Sequence, residues 1–167
     1  LGDHGIAVML KREGLAFEST ACVNQPGHEP VCEIDFKATS SRPGYLILAL
    51  RPYNTEGVSF IHRIQYLDEK SQWKVDKKYR VELTERPDYH KVSAYFDGDV
   101  SLHLEAGNTA DKISCDVGMA TAAAMYRVEP GQTRQAGLRI PLLQGSERED
   151  VGVVRAYPSW PESMQNT

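Results

Sequence analysis

Leu46-Ile47-Leu48-Ala49-Leu50-Arg51-Pro52-Tyr53-Asn54, followed by Gly57-Val58-Ser59-Phe60-Ile61-His62-Arg63-Ile64, reads as one strongly apolar β-strand. It runs through a polar Arg-Pro-Tyr-Asn corner into a second strand. An unbroken apolar run rich in branched side chains suits a strand covered on both faces, whereas the following strand alternates between two sides. The same alternation recurs in both directions from this stretch. Ile6, Val8 and Leu10 share one face, Phe17, Ser19, Ala21 and Val23 another, and Cys32, Ile34 and Phe36 a third. Tyr79 to Leu83 and Leu138 to Leu142 alternate too, and Val151 to Tyr157 closes the series.

Polar, Gly or Pro clusters separate these runs, at Gln25 to Pro30, Ser40 to Gly44, Asp68 to Gln72, Arg86 to Asp88 and Val128 to Gln132. Asp97-Gly98 supplies the positive φ angles of a type I′ turn, which predicts a hairpin of Val92 to Phe96 with Asp99 to Leu104. In it Val92, Ala94, Phe96, Val100, Leu102 and Leu104 face the core, and His103 points outward with Ser101 and Glu105. Val117 to Tyr126 is ambiguous, because its alanines favour helix while its place between strands favours a closely packed strand. Strand is the preferred reading, since a turn and another alternating strand follow. About a dozen short strands without an amphipathic helix predict an all-β fold, a large antiparallel two-sheet β-sandwich of the supersandwich type. It is expected to occupy residues 1–157, with 158–167 as an exit linker or flap.

At 167 residues and 41% hydrophobic content, the chain suffices for one sizeable core. Its net charge of −4 comes from interspersed acids and bases, with no basic stripe for a phosphate backbone. No apolar run approaches the ~20 residues of a membrane span. Leu1-Gly2-Asp3-His4 has neither the basic flank nor the apolar segment of a leader, so any leader is expected to have been removed. Cys22, Cys32 and Cys115 are too few for a disulfide framework. They read as reduced, mostly buried thiols of a cytoplasmic protein, with a Cys22 to Cys32 bridge as the alternative and secretion left open.

Each candidate for chemistry has a simpler reading beside it. His62 alternates onto the face of Phe60, Ile64 and Tyr66, which predicts a core or interface histidine rather than a base. Asp97 and Asp99 are explained by a hairpin tip rather than by a calcium or catalytic pair. His28 and Cys32 lack a third ligand at zinc spacing, so no metal and no cofactor are expected. No nucleophile elbow, phosphate loop or dinucleotide fingerprint occurs, and Glu147, Glu149 and Asp150 read as a solvated loop. No catalytic residue is therefore assigned. Converging His62, Arg51 and acidic residues in one pocket would be needed for a small sandwich enzyme. For sugar binding, Trp73 in the polar setting Ser71-Gln72-Trp73-Lys74, Trp160, and the Arg51-Pro52-Tyr53-Asn54 corner offer rings, a planar cation and an amide. For each ring the competing reading is packing against a sheet edge or partner, and for the corner a structural role.

Leu48-Ala49-Leu50-Arg51-Pro52-Tyr53-Asn54-Thr55-Glu56-Gly57-Val58-Ser59-Phe60-Ile61-His62 resembles the β-sandwich domain that precedes the helical catalytic barrel in glycoside hydrolases of the glycogen-debranching, amylo-α-1,6-glucosidase type. The likeness is densest over these residues. Looser support comes from the Pro130-Gly131 turn, Leu138 to Leu143, and Tyr157-Pro158-Ser159-Trp160. The resemblance implies a sandwich that packs against an (α/α)6 catalytic domain of the same polypeptide and helps to shape its substrate cleft. It also implies an α-glucan oligosaccharide as ligand, with the cleaving carboxylates on the barrel and none on this chain. The expectation is thus a non-catalytic domain with an apolar face covered by the barrel. A free-standing glycan-binding module acting through Trp73, Tyr53 or Trp160 is the alternative.

Overall fold

A computed structural model describes residues 5–25, 29–54 and 56–143. The strand expected at Val151 to Tyr157, the linker at 158–167, Trp160, His28 and the charged cluster at 147–150 lie outside the described residues.

Alternation becomes strand from Ile6 to Phe36, whereas the alternating strand expected over Gly57 to Ile64 is broken, Ser59 to His62 lying outside any ladder apart from a bridge of Ile61 to Met119. The strands are β1 (Gly5–Arg12), β2 (Leu15–Asn24), β3 (Val31–Ser40), β4 (Gly44–Leu50), β5 (Tyr53–Asn54), β6 (Gly57–Val58) and β7 (Arg63–Leu67). They are followed by β8 (Gln72–Val75), β9 (Tyr79–Leu83), β10 (Tyr89–Ser93), β11 (Lys112–Ser114), β12 (Thr121–Val128) and β13 (Thr133–Pro141). The fold is an all-β sandwich with unequal layers. An antiparallel eight-stranded sheet, ordered β1-β2-β3-β13-β9-β8-β7-β11, carries a three-stranded sheet ordered β10-β12-β4. Between them Leu46, Leu48, Ala122, Ala124 and Tyr126 of the small sheet meet Ile64, Tyr66, Trp73, Val81 and Leu83 of the large one. The Tyr66 ring stacks on His90 across the layers, 4.3 Å between centroids.

Turn chemistry follows the sequence at several corners. β12 and β13 are joined by Glu129-Pro130-Gly131-Gln132, in which Gln132 N donates to Glu129 O at 3.1 Å and Gly131 has φ +74°. Proline presets the second position and glycine alone accepts the third without strain, as a type II turn requires. The alanine-rich segment is strand β12, and small side chains explain why. With β10 and β4 on either side and residues Thr121 to Tyr126 buried on both faces, bulkier residues would not fit between the layers.

Three expectations are corrected. β4 is not the doubly covered strand: Leu46 and Leu48 are buried but Ala49 is exposed, because β4 forms the edge of the small sheet and β12 its centre. Asp97-Gly98 does not close a hairpin. Short 3₁₀ turns at Tyr95–Asp97 and Val100–Leu102 replace the two strand segments, held by Ser93 Oγ donating to Gly98 O at 2.7 Å and Val100 N donating to Thr121 Oγ1 at 3.0 Å. Those bonds, one local and one reaching β12, fold the segment across the outer face of β10 and β12, where Val100 is buried and Phe96 and Leu102 are exposed. His103 therefore sits on a turn rather than on a strand and reaches Asp97 O at 2.8 Å. His62 is exposed, not a core residue, since regular pairing begins only at Arg63. Its Nδ1 lies 3.2 Å from Cys115 O.

All three cysteines are free thiols. Register explains why no bridge joins Cys22 to Cys32: Cys22 sits opposite Glu33 and Cys32 opposite Val23, so the two thiols project from opposite faces of the sheet. Burial pushes the Cys32 thiol up from its ordinary pKa, and the neighbouring Cys22 adds to the shift.

Candidate functional site

The proposed sugar-binding residues separate on folding. Trp73 is 1% exposed, wedged between Tyr66 and Val81 on the flanking strands. This corrects its reading as a sugar platform: the polar neighbours Gln72 and Lys74 lie on the other face of β8, so a polar sequence setting says nothing about the side to which the indole points. The Trp73 indole N–H has no hydrogen-bond partner among the described residues.

Arg51, Tyr53 and Asn54 do come together in a tight corner closed by the β5–β6 pair and by Ser59 N donating to Pro52 O at 3.0 Å. The bonds formed here brace the corner and tie it to Asp99. The Arg51 guanidinium lies 5.3 Å over the Tyr53 ring and donates through Nε to Asp99 Oδ2 at 2.9 Å, while Asn54 Oδ1 accepts from Glu56 N at 2.9 Å. Burial alone would raise the Asp99 pKa. Hydrogen bonds from the Ser101 backbone and hydroxyl, together with the Arg51 charge, outweigh it and hold the carboxyl below its usual range. The structural reading of the corner accounts for every one of these contacts.

Sequence reasoning did not single out His90 and Asp111. His90 Nε2 lies 2.8 Å from Asp111 Oδ1, an arrangement that resembles half of a catalytic relay. Its ring is stacked beneath Tyr66 and its neighbours Asn108 and Thr109 cap β10, with His90 N donating to Asn108 Oδ1 at 3.0 Å and Val92 N to Thr109 Oγ1 at 2.7 Å. Among the described residues no serine, threonine or cysteine nucleophile is bonded to the His90 ring, and the pair ties a loop to the sheet edge. Among the described residues no three His, Cys, Asp or Glu side chains are grouped to hold a metal ion, and no helix is long and apolar enough to cross a membrane.

The most unusual surface is the end of the large sheet that extends past the small one. Pairing aligns Ile6 with Ala21 and Ile34, Val8 with Ser19 and Phe36, and Leu10 with Phe17 and Ala38, so one face of β1–β2–β3 is apolar across three strands. From β3 inward that face is roofed by β12. Toward β1 it is not: Ile6 is 72%, Val8 54% and Leu10 47% exposed, and Leu15 and Val23 at the two ends of β2 are exposed as well. The reverse face carries Lys11, Glu18, Thr20, Glu33, Asp35 and Lys37, with Met9 the large apolar side chain among small ones such as Ala7 and Ala16. A one-sided stripe of this kind is what remains when a sheet lacks its second layer.

The chain matches no family model and no curated protein.

Proposed function

We propose that this chain is a non-catalytic β-sandwich domain of a carbohydrate-processing enzyme of the glycogen-debranching type, packed through β1–β2–β3 against an (α/α)6 catalytic barrel. The observation that carries the packing role is the uncovered apolar face. Fully covering a Val, Leu or Ile side chain contributes roughly 1.5–3 kcal/mol, so seating Ile6, Val8, Leu10, Leu15 and Val23 against a partner layer supplies several kcal/mol of docking energy. The carbohydrate context rests on the resemblance of Leu48 to His62 to that enzyme class. A packing domain needs no acid–base pair of its own, which agrees with a His90–Asp111 pair used for loop anchoring. A glycan-binding module built on Trp73 is not supported, because the indole is in the core.

The test replaces Ile6, Val8 and Leu10 together with lysine. Sedimentation with a separately produced helical barrel of that enzyme type is expected to show a complex for the wild-type chain and none for the variant, with unchanged thermal unfolding. A wild-type chain that fails to associate, or a variant that associates as tightly, defeats the proposal.

A further inference from the structure

At the far side of the large sheet from β1, the connection Ser59 to His62 that leads into β7 and the turn between β8 and β9 border a groove of about 620 Å3. Its walls include Phe60, His62, Arg63, Lys77, Lys78 and Tyr79. Both walls are held rigid by the main chain. Ile61 N donates to Gly118 O at 2.8 Å, Ala120 N to Ile61 O at 3.0 Å and Cys115 N to His62 O at 2.8 Å. Gly118, at φ +72°, lies so close beneath Phe60 that a Cβ there would stand 2.8 Å from the Phe60 side chain, so glycine is what lets the ring take this position. Across the groove, Asp76 Oδ1 accepts from His62 N at 2.9 Å and Arg63 N at 2.8 Å, and Asp76 N returns a bond to Arg63 O at 2.9 Å. Asp76 and Lys77 both adopt left-handed backbone, φ 48° and 62°, a conformation non-glycine residues hold only where surrounding bonds enforce it.

That scaffold presents two aromatic rings to solvent, Phe60 at 64% and Tyr79 at 48% exposed. Arg63, Lys77 and Lys78 stand beside them, while Asp76, the one carboxylate lining the groove among the described residues, is turned into the main-chain bonds just described. In a chain whose net charge is −4, this is a local concentration of positive charge beside two exposed aromatic side chains.

We propose that this groove binds an anionic sugar, a pyranose bearing a phosphate or sulfate group. Exposed ring faces stack against the C–H face of a pyranose, and lysine and arginine take the anionic group by charge-assisted hydrogen bonds. The volume accommodates a ligand of one or two sugar rings. This site is independent of the docking face on β1–β2–β3, and either stands if the other fails.

Backbone amide NMR titration with glucose 6-phosphate tests it, with glucose, inorganic phosphate and adenosine monophosphate as comparisons. Saturable shifts are expected at Phe60, His62 and residues 76–79, with glucose 6-phosphate bound roughly tenfold or more tightly than any comparison. Phe60→Ala, and separately Lys77→Gln with Lys78→Gln, should each weaken binding about tenfold without moving the thermal midpoint, and Tyr79→Ser serves as a second ring deletion should Phe60→Ala unfold. Absence of saturable shifts, equal affinity for inorganic phosphate, or tighter binding of adenosine monophosphate overturns the assignment.

Discussion

The two halves of the large sheet are written in the same alternating code and meet opposite fates. In β7, β8 and β9 the inward residues Ile64, Tyr66, Trp73, Val75, Val81 and Leu83 are buried beneath the small sheet. In β1 and the outer part of β2 the equivalent residues Ile6, Val8, Leu10, Leu15 and Val23 face solvent. Period-two patterning states which face of a strand is apolar, and it is silent on whether anything covers that face. The eight-stranded sheet is simply wider than the three strands that roof it.

The largest expected effect sharpens that contrast. Trp73→Ala removes a fully buried indole and should destabilise the fold by about 3–5 kcal/mol in chemical denaturation, whereas Val8→Ala on the uncovered half should stay within about 0.5 kcal/mol. Equal losses at the two sites would mean that the β1 face is covered in the isolated chain after all.

A second pair turns the comparison from deletion to insertion. Ala123 of β12 has no exposed surface, so Ala123→Leu should cost about 1–3 kcal/mol by overpacking. Ala7→Leu, on exposed β1, should be close to neutral by the same denaturation assay.

The smallest effect belongs to the corner between these regions. The depressed Asp99 pKa means that the folded state holds the carboxylate charged more readily than the unfolded chain does. Its stabilising contribution is present above the unfolded value of about 4 and is lost as pH falls through the lower folded value. Asp99→Asn should therefore flatten the acid limb of the stability curve below about pH 4 while leaving a pH-independent loss above it. An acid limb of unchanged slope would show that Arg51 and Ser101 do not discriminate the charged carboxylate.

Much of the fold was legible, and the failures share one cause. The strands from Ile6 to Phe36, the Pro130-Gly131 turn and the strand reading of the Val117 to Tyr126 segment, which holds from Thr121 on, follow from local rules of alternation, turn chemistry and side-chain size. Asp97-Gly98 is equally local in its signal and misled, because the long-range bond from Val100 to Thr121 and the burial of Val100, with a local bond from Ser93 to Gly98, outcompete a hairpin. The candidate sites were less legible. Trp73 looked exposed from its neighbours in sequence, yet in a strand those neighbours point the other way. Phe60 looked buried from its register with Ile64, yet the chain leaves the ladder before Arg63 and lays Phe60 over Gly118. The Asp76-Lys77-Lys78 turn carried a signal in its run of charges, but nothing in the sequence joined it to Phe60.

By itself, then, the sequence determined the strand-rich class, most strand positions and the apolar side of each strand, because those depend on residues a few positions apart. Only the tertiary structure decided which strand lies at the centre of the small sheet, which half of the large sheet stays uncovered, and which rings line a groove. Those are set by contacts between segments tens of residues apart, where pairing register and the width of one layer against the other outweigh local preference.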